Sequence, residues 1–188
     1  MTARTKVAAG GIVIVLASLA TQLTIREDEG REYTVYKDIV GVPTVCDGIT
    51  GPDVIPGKFY TDAECNRLTI KAVESHGERL LDCITAPITQ TMYEGLLGAA
   101  YNLGVGAVCS GSIVRKINAH DYLGGCRAIL DYNKARDTSK PKVRNPRTGK
   151  MEHPLVPVRG LTLRRQRESK KCIEGIPNVQ VKNYATSN

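Results

Sequence analysis

From Val7 to Ile25 the chain reads VAAGGIVIVLASLATQLTI, 19 residues without a charge between Lys6 and Arg26. An apolar helix needs roughly 20 residues to cross a bilayer, so this stretch predicts an N-terminal hydrophobic helix. The helix should run on to Glu29-Gly30, where glycine stops it. From Tyr33 to Ile55 the pattern changes to Val, Ile, Thr and Tyr broken by Gly and Pro, the mark of a short twisted antiparallel sheet with a turn at Asp47-Gly48. Helical periodicity then takes over. Thr61-Asp62-Ala63-Glu64 is a capping-box pattern opening a helix with Leu68, Ala72 and Val73 on one face, continuing towards Leu80 and Leu81. Past Pro87, Thr91-Met92-Tyr93-Glu94 offers a second box before LLGAAYNLG, and Asn102–Gly106 reads as a helix-terminating turn. Shorter helices follow around Ile113–Ile117 and Asp121–Leu130. Residues 136–158, with four Pro and little periodicity, read as a long basic loop with a hairpin at Arg147-Thr148-Gly149. LTLRRQRESKKCIEG is a final helix ending at Gly175, and the last dozen residues read as a frayed tail. The expected class is α+β: a small antiparallel β-lobe at about 30–60, joined by a long helix to a larger α-helical lobe at about 61–175. A cleft between two such lobes suits an extended polymer.

Charge and cysteine use add a compartment. Arg4 and Lys6 favour a cytoplasmic N-terminus, so the rest of the chain is exported. The stretch 7–25 is then either a signal peptide cut after Ser18-Leu19-Ala20 or a retained signal-anchor. Retention is favoured, in a form held only marginally: Ala, Gly, Ser, Thr and Gln make up 10 of the 19 residues. Six Cys, with no C-x-x-C and no His beside a Cys, argue for disulfides in an oxidising compartment and against a zinc site. Net charge is +7, but Lys134–Lys171 alone holds 13 Lys or Arg against three acids, leaving the remainder near −3. Such a tract favours nucleic acid, anionic phospholipid or an anionic wall, or is simply a solvated basic face. No aromatic interleaving accompanies it, so nucleic acid is not expected.

The chemistry sits in EGREYTVYKDIVGVPT, where Glu29, Asp38 and Thr44 are spaced E-x8-D-x5-T. Glycoside hydrolysis needs one protonated carboxyl for the leaving oxygen and one carboxylate to activate water or attack the sugar. A hydroxyl beside the second carboxylate can hold the water. An isolated Glu and Asp would more simply be solvated loop charges. Glu27, Asp28 and Glu32 flank Glu29, and only the register to Asp38 and Thr44 selects it.

With the further strings YKDIVGVPTVC, GPDVIPGKFYTDAEC, YNLGVGAVCSGSIVRKIN and GLTLRR in that order, the chain resembles the phage lysozymes, the muramidase endolysins of glycoside hydrolase family 24. The likeness covers 27–175, and residues 1–26 resemble the membrane segment of the signal-anchor-release subgroup. It implies a lysozyme-like catalytic domain at 27–178, with 179–188 as tail. It also implies cleavage of the β-1,4 bond between N-acetylmuramic acid and N-acetylglucosamine in peptidoglycan, by a monomer without metal or cofactor. Glu29 matches the general acid, with a pKa raised by burial, Asp38 the second carboxylate and Thr44 the water-holder. The inverting route is favoured over a nucleophilic Asp38. Arg164 resembles a family arginine near the acid, with Arg165 and Arg167 as alternatives. Implied disulfides are Cys46–Cys65, Cys83–Cys109 and Cys126–Cys172. The subgroup implies tethering to the host inner membrane through 7–25, catalytic domain in the periplasm, then release. Tethering would hold Glu29, three residues past Arg26, against the bilayer. The chain departs from its relatives in having Ile49-Thr50-Gly51 where many have His-Thr-Gly, in lacking Trp, and in its long 136–158 segment. A non-catalytic wall-binding protein and a cationic membrane-active lysis protein are the competing functions.

Overall fold

The apolar stretch 7–25 is not one helix. In the computed structural model, which describes residues 4–38, 41–146 and 148–177, it forms a β-hairpin followed by a helix. Of Ala20, Glu27, Asp28 and Glu29 only the backbone is described. Strand β1 (Thr5–Val7) pairs antiparallel with β2 (Val13–Val15), Lys6 opposite Ile14. Two reasons defeat the expected helix. Gly10 and Gly11 both sit at φ 76°, left-handed backbone that helices avoid. The run Ile12–Val15 is β-branched throughout and prefers a pleated strand. Helix α1 begins only at Leu19 and runs to Glu29, capped by Ser18, whose hydroxyl accepts from the Thr21 amide. Gly30, at φ 73°, ends it where the sequence predicts.

This N-terminal unit is part of the main core. Ile14, Leu16 and Ile25 are buried with Val73, Leu80, Met92, Tyr93 and Leu96. Gln90 clamps the hairpin's exit: its side-chain carbonyl accepts from the Val15 amide at 2.9 Å and its amide donates to Val15 O at 3.2 Å. Tyr93 donates to Leu16 O at 2.8 Å. That hydroxyl crosses Gly77, where an added Cβ would lie 2.0 Å from it. Arg4 pairs with Glu74 and Glu78, and Lys6 with Asp82.

The β-lobe is a three-stranded antiparallel sheet: β3 (Glu32–Lys37), β4 (Pro43–Cys46) and β5 (Ile49–Thr50), in that order. Its own small core of Val45, Cys46, Ile49, Val54 and Tyr60 closes on Cys65 of the helix that follows. Helix α2 (Asp62–Cys83) spans the two lobes and opens with the expected box: Thr61 Oγ1 accepts from the Glu64 amide while Glu64 accepts from Thr61 N. Lys58 and Thr61 hold the Glu64 carboxyl down to about 2. Helix α3 (Gln90–Leu103) starts two residues earlier than the sequence pattern suggests. Its cap is Thr89, whose hydroxyl also donates to Gly175 O. Buried on most sides, α3 packs against α1, α2, α4 (Val105–Ser110) and, most extensively, α7 (Arg159–Glu174), while α5 (Ser112–Asn118) packs on α6 (Tyr122–Ala128), which in turn packs on α7. Gly95 allows α7 to approach, since a Cβ there would meet Cys172 N at 2.5 Å.

The segment expected as a basic loop with a hairpin at 147–149 is a ribbon of two antiparallel strand pairs, the inner pair enclosing those residues. Strand β6 (Lys134–Arg136) pairs with β9 (Leu155–Pro157), and β7 (Val143–Arg144) with β8 (Met151–Glu152). Arg147, at the expected turn, lies outside the described residues, as does the tail 179–188. Disulfides join Cys46 to Cys65, Cys83 to Cys109 and Cys126 to Cys172.

Candidate active site

The E-x8-D-x5-T triplet spans a helix end and two strands. Glu29 is the last residue of α1; its side chain lies outside the described residues. Asp38 follows β3 directly, and Thr44 is in β4, opposite Tyr36 of β3 and Thr50 of β5. Asp38 and Thr44 are brought together through one residue. Asp38 Oδ1 accepts from the Val42 amide at 2.8 Å, and Thr44 Oγ1 donates to Val42 O at 3.0 Å. Backbone bonds from Asp38 N to Val42 O and from Gly41 N to Asp38 O close the same turn. The turn therefore sets both functional groups at once: the carboxylate is half-buried, the hydroxyl buried. Because the Thr44 proton is committed to Val42 O, its oxygen can only accept from a further partner.

Behind the strands lies a charged cluster that sequence reading does not find. Arg31, two residues after Glu29, forks onto the Asp47 carboxylate, Nε to Oδ1 at 2.8 Å and Nη2 to Oδ2 at 2.6 Å. Thr69 of α2 adds a hydrogen bond to Asp47 at 2.6 Å. Arg31 Nη1 reaches Asp62 and Asn66 of the same helix. The Asp47 side chain is wholly buried and Arg31 nearly so. The paired carboxylates, Asp47 foremost, raise Arg31 above the ordinary guanidinium range despite the opposing effect of burial. Asp62 is lowered in turn by Arg31 and Tyr33. One fork thus ties the end of α1, the β4–β5 turn and α2 together. A pointer was present: in VCDGI the Asp interrupts an otherwise apolar run, but Asp-Gly reads first as a turn. It is a turn, with Gly48 at φ 82°, and its Asp points inward.

A second cluster lies on α7. The arginine that α7 turns inward is Arg165, not Arg164. Arg165, Glu168, Ser169 and Cys172 are the buried residues of α7, one face at helical spacing. Arg165 Nη2 donates to Asn102 Oδ1 at 3.1 Å and to Glu168 Oε1 at 2.7 Å. Asn102 is on the last turn of α3, so the cluster joins α3 to α7.

A hollow opens between the lobes, lined by Thr50 and Asp53 of the β-lobe, Lys71 and His76 of α2, and Tyr101 of α3. Thr50 is the cross-strand partner of Thr44, so the hollow adjoins the Asp38–Thr44 turn. Lys71 pairs with Asp53 across it, and the His76 and Tyr101 rings stand 5.1 Å apart. Ile49 also lines it. Among the described residues no three His, Cys, Asp or Glu are grouped to hold a metal ion.

The phage lysozyme family matches residues 26–168. The SAR-endolysin of Bacteriophage PS34 is 42% identical over 98 residues, covering 52% of this chain and 59% of its own. The match thus spans less than two thirds of that relative. The SAR-endolysin of Pseudomonas phage phiKMV is 33% identical over 147 residues, 78% of this chain and 81% of its own. A solved endolysin from Escherichia coli O157:H7 phage FAHEc1 shares the fold, with a TM-score of 0.69 at 24% identity over 85% of this chain and 94% of its own.

Proposed function

Because the chain belongs to the phage lysozyme family, we propose that it is an endolysin that hydrolyses the β-1,4 bond between N-acetylmuramic acid and N-acetylglucosamine in peptidoglycan. The observation that carries this reading is the Val42 turn, which fixes a carboxylate and a hydroxyl acceptor on strands leading away from Glu29. Glu29 is the general acid that protonates the leaving oxygen. Thr44 Oγ1 accepts one hydrogen of the attacking water, and Asp38 takes the proton released as the oxygen attacks the anomeric carbon. Arg31, held by Asp47, anchors the chain two residues beyond Glu29 and keeps the acid's helix end in register with β4. In a Glu29→Gln variant, hydrolysis of purified peptidoglycan should fall by at least about a thousandfold while wall binding survives. Wild-type turnover by that variant would refute Glu29 as the acid, and lysis of permeabilised Gram-negative cells at the wild-type rate without hydrolysis of purified peptidoglycan would favour a cationic membrane-active protein.

The relatives named SAR-endolysin support export and a membrane-tethered precursor. No described helix is long and apolar enough to cross a membrane. The hairpin of β1 and β2 cannot span a bilayer, where every backbone group must be bonded within the segment. Residues 7–25 therefore adopt a helix when tethered and the hairpin-plus-helix when released. While they lie in the bilayer, Ile14, Leu16 and Ile25 are missing from the core and Arg4 and Lys6 from their carboxylates on α2. On this reading 27–178 is the catalytic domain in sequence, but it needs residues 4–26 to fill its core. An intact N-terminus on the periplasmic product, read by mass spectrometry, is expected. A product beginning at Thr21 would refute retention.

A further inference from the structure

The ribbon 134–157 takes no part in the chemistry above, yet its composition is unusual. It carries seven Lys or Arg against two acids, and no Phe, Tyr or Trp. Both acids are consumed within it. Glu152 accepts from Arg136 at 2.8 Å and from Asn145 at 2.7 Å, and Asp137 pairs with Lys140 and Ser139. Ser139 and Lys140 lower the Asp137 carboxyl, and Asn145 and Arg136 lower that of Glu152. Among the described residues, Lys134, Lys142 and Lys150 enter no ion pair, so the ribbon's excess of positive charge faces solvent.

The register adds the second half of the pattern. On β6 and β9, Lys134 stands opposite Pro157 and Arg136 opposite Leu155, all exposed, while Ala135 and Val156 turn inward. On β7 and β8, Arg144 stands opposite Met151, both exposed. Three cross-strand pairs therefore each set a cation beside an apolar residue. Leu155 and Met151 are 58% and 59% exposed, which a ribbon serving only solubility would not require.

We propose that this ribbon is a docking surface for an anionic phospholipid bilayer, with the cations on headgroup phosphates and Met151 and Leu155 entering the acyl boundary. Cation-apolar alternation is the chemistry of interfacial membrane binding. Single-stranded nucleic acid would call for aromatic rings on which bases stack, and the ribbon has none. The ligand also fits the proposed history of the chain, whose own N-terminal stretch would deliver it to such a surface; in that respect the inference rests on the endolysin reading. After release the enzyme would stay on the membrane face instead of diffusing freely.

The test uses the full chain and flotation with vesicles containing phosphatidylglycerol, against vesicles of phosphatidylcholine alone. Wild type should float with the anionic vesicles only, and less as salt rises. The triple variant Lys134→Gln, Lys142→Gln, Lys150→Gln should partition roughly a hundredfold more weakly. The matching Lys→Arg triple should keep binding, and Met151→Ser with Leu155→Ser should lose it several-fold. Hydrolysis of purified peptidoglycan should be unchanged in all three, and wild-type hydrolysis reports separately on the enzymatic reading. Undiminished flotation of the Gln triple would overturn the proposal and assign the membrane contact to residues 7–25. A parallel loss of peptidoglycan hydrolysis would make the ribbon a substrate contact. Equal binding of duplex DNA at the same salt would reduce it to a nonspecific polyanion patch.

Discussion

Replacing Asp47 by Ala removes a buried carboxylate and leaves three donors behind it. Arg31 loses the partners of its Nε and Nη2, at 2.8 and 2.6 Å, and Thr69 loses a 2.6 Å acceptor. Arg31 keeps Asp62 and Asn66 through Nη1, which limits the damage but does not desolvate the remaining fork any less. Breaking a buried pair by deleting one partner costs about 3–5 kcal/mol, most of it from the charge left uncompensated. For a chain of this size each kcal/mol moves Tm by about 2–4 °C, so the drop should be on the order of 10 °C. Arg31→Met should cost a similar amount for the mirror-image reason. The decisive species is the double variant Arg31→Met with Asp47→Leu. With both charges gone and volume roughly kept, it should recover most of the loss, giving a coupling of about 2–4 kcal/mol. Thermal unfolding followed by circular dichroism, with disulfides intact, measures all four corners of the cycle. Because Arg31 lies two residues past Glu29, turnover on peptidoglycan should fall in the singles, with purified peptidoglycan as the assay. If Asp47→Ala shifts Tm by less than about 2 °C, or the double variant equals the sum of the singles, the fork does not couple the lobes and the reasoning is wrong.

Other expectations are simpler to test. Gly77→Ala should push the Tyr93 hydroxyl off its bond to Leu16 O, exposing residues 4–18 to limited proteolysis while the β-lobe stays protected. Burial would raise the Glu94 carboxyl, but hydrogen bonds from Ser18, Gln90 and Lys171 outweigh it and the net shift is downward. Its contribution is therefore present above the ordinary glutamate value of about 4.3 and lost as pH falls below that. Acid unfolding of Glu94→Gln should accordingly be less steep than that of wild type between about pH 5 and 3. Removing Cys46–Cys65, which closes a 19-residue separation beside Thr44, should cost about 3 kcal/mol in denaturant unfolding.

Much of the α2 helix and the β-lobe was legible because their signals are local. The Thr61–Glu64 box, the Asp47-Gly48 turn and the stop at Gly30 each depend on atoms within a few residues. Short-range spacing also marked the triplet, since Asp38 and Thr44 are joined through Val42 between them. What local spacing left open was set by surfaces distant in sequence. An uncharged run of 19 residues has the composition of a membrane helix; its Gly10-Gly11 pair and β-branched Ile12–Val15 admit a hairpin, and the core at Val73, Leu80 and Tyr93 buries it. Arg164 and Arg165 are indistinguishable as letters; the approach of α7 to α3 at Gly95 sets which one is buried. Asp47 and Arg31 lie 16 residues apart and carry no motif, so their pairing exists only once β4 folds back on α2. The amino-acid order by itself determined which local elements form and which side chains have the right chemistry. Tertiary packing decided which charges are buried and what the apolar N-terminus does, because burial belongs to the whole fold and to no short segment.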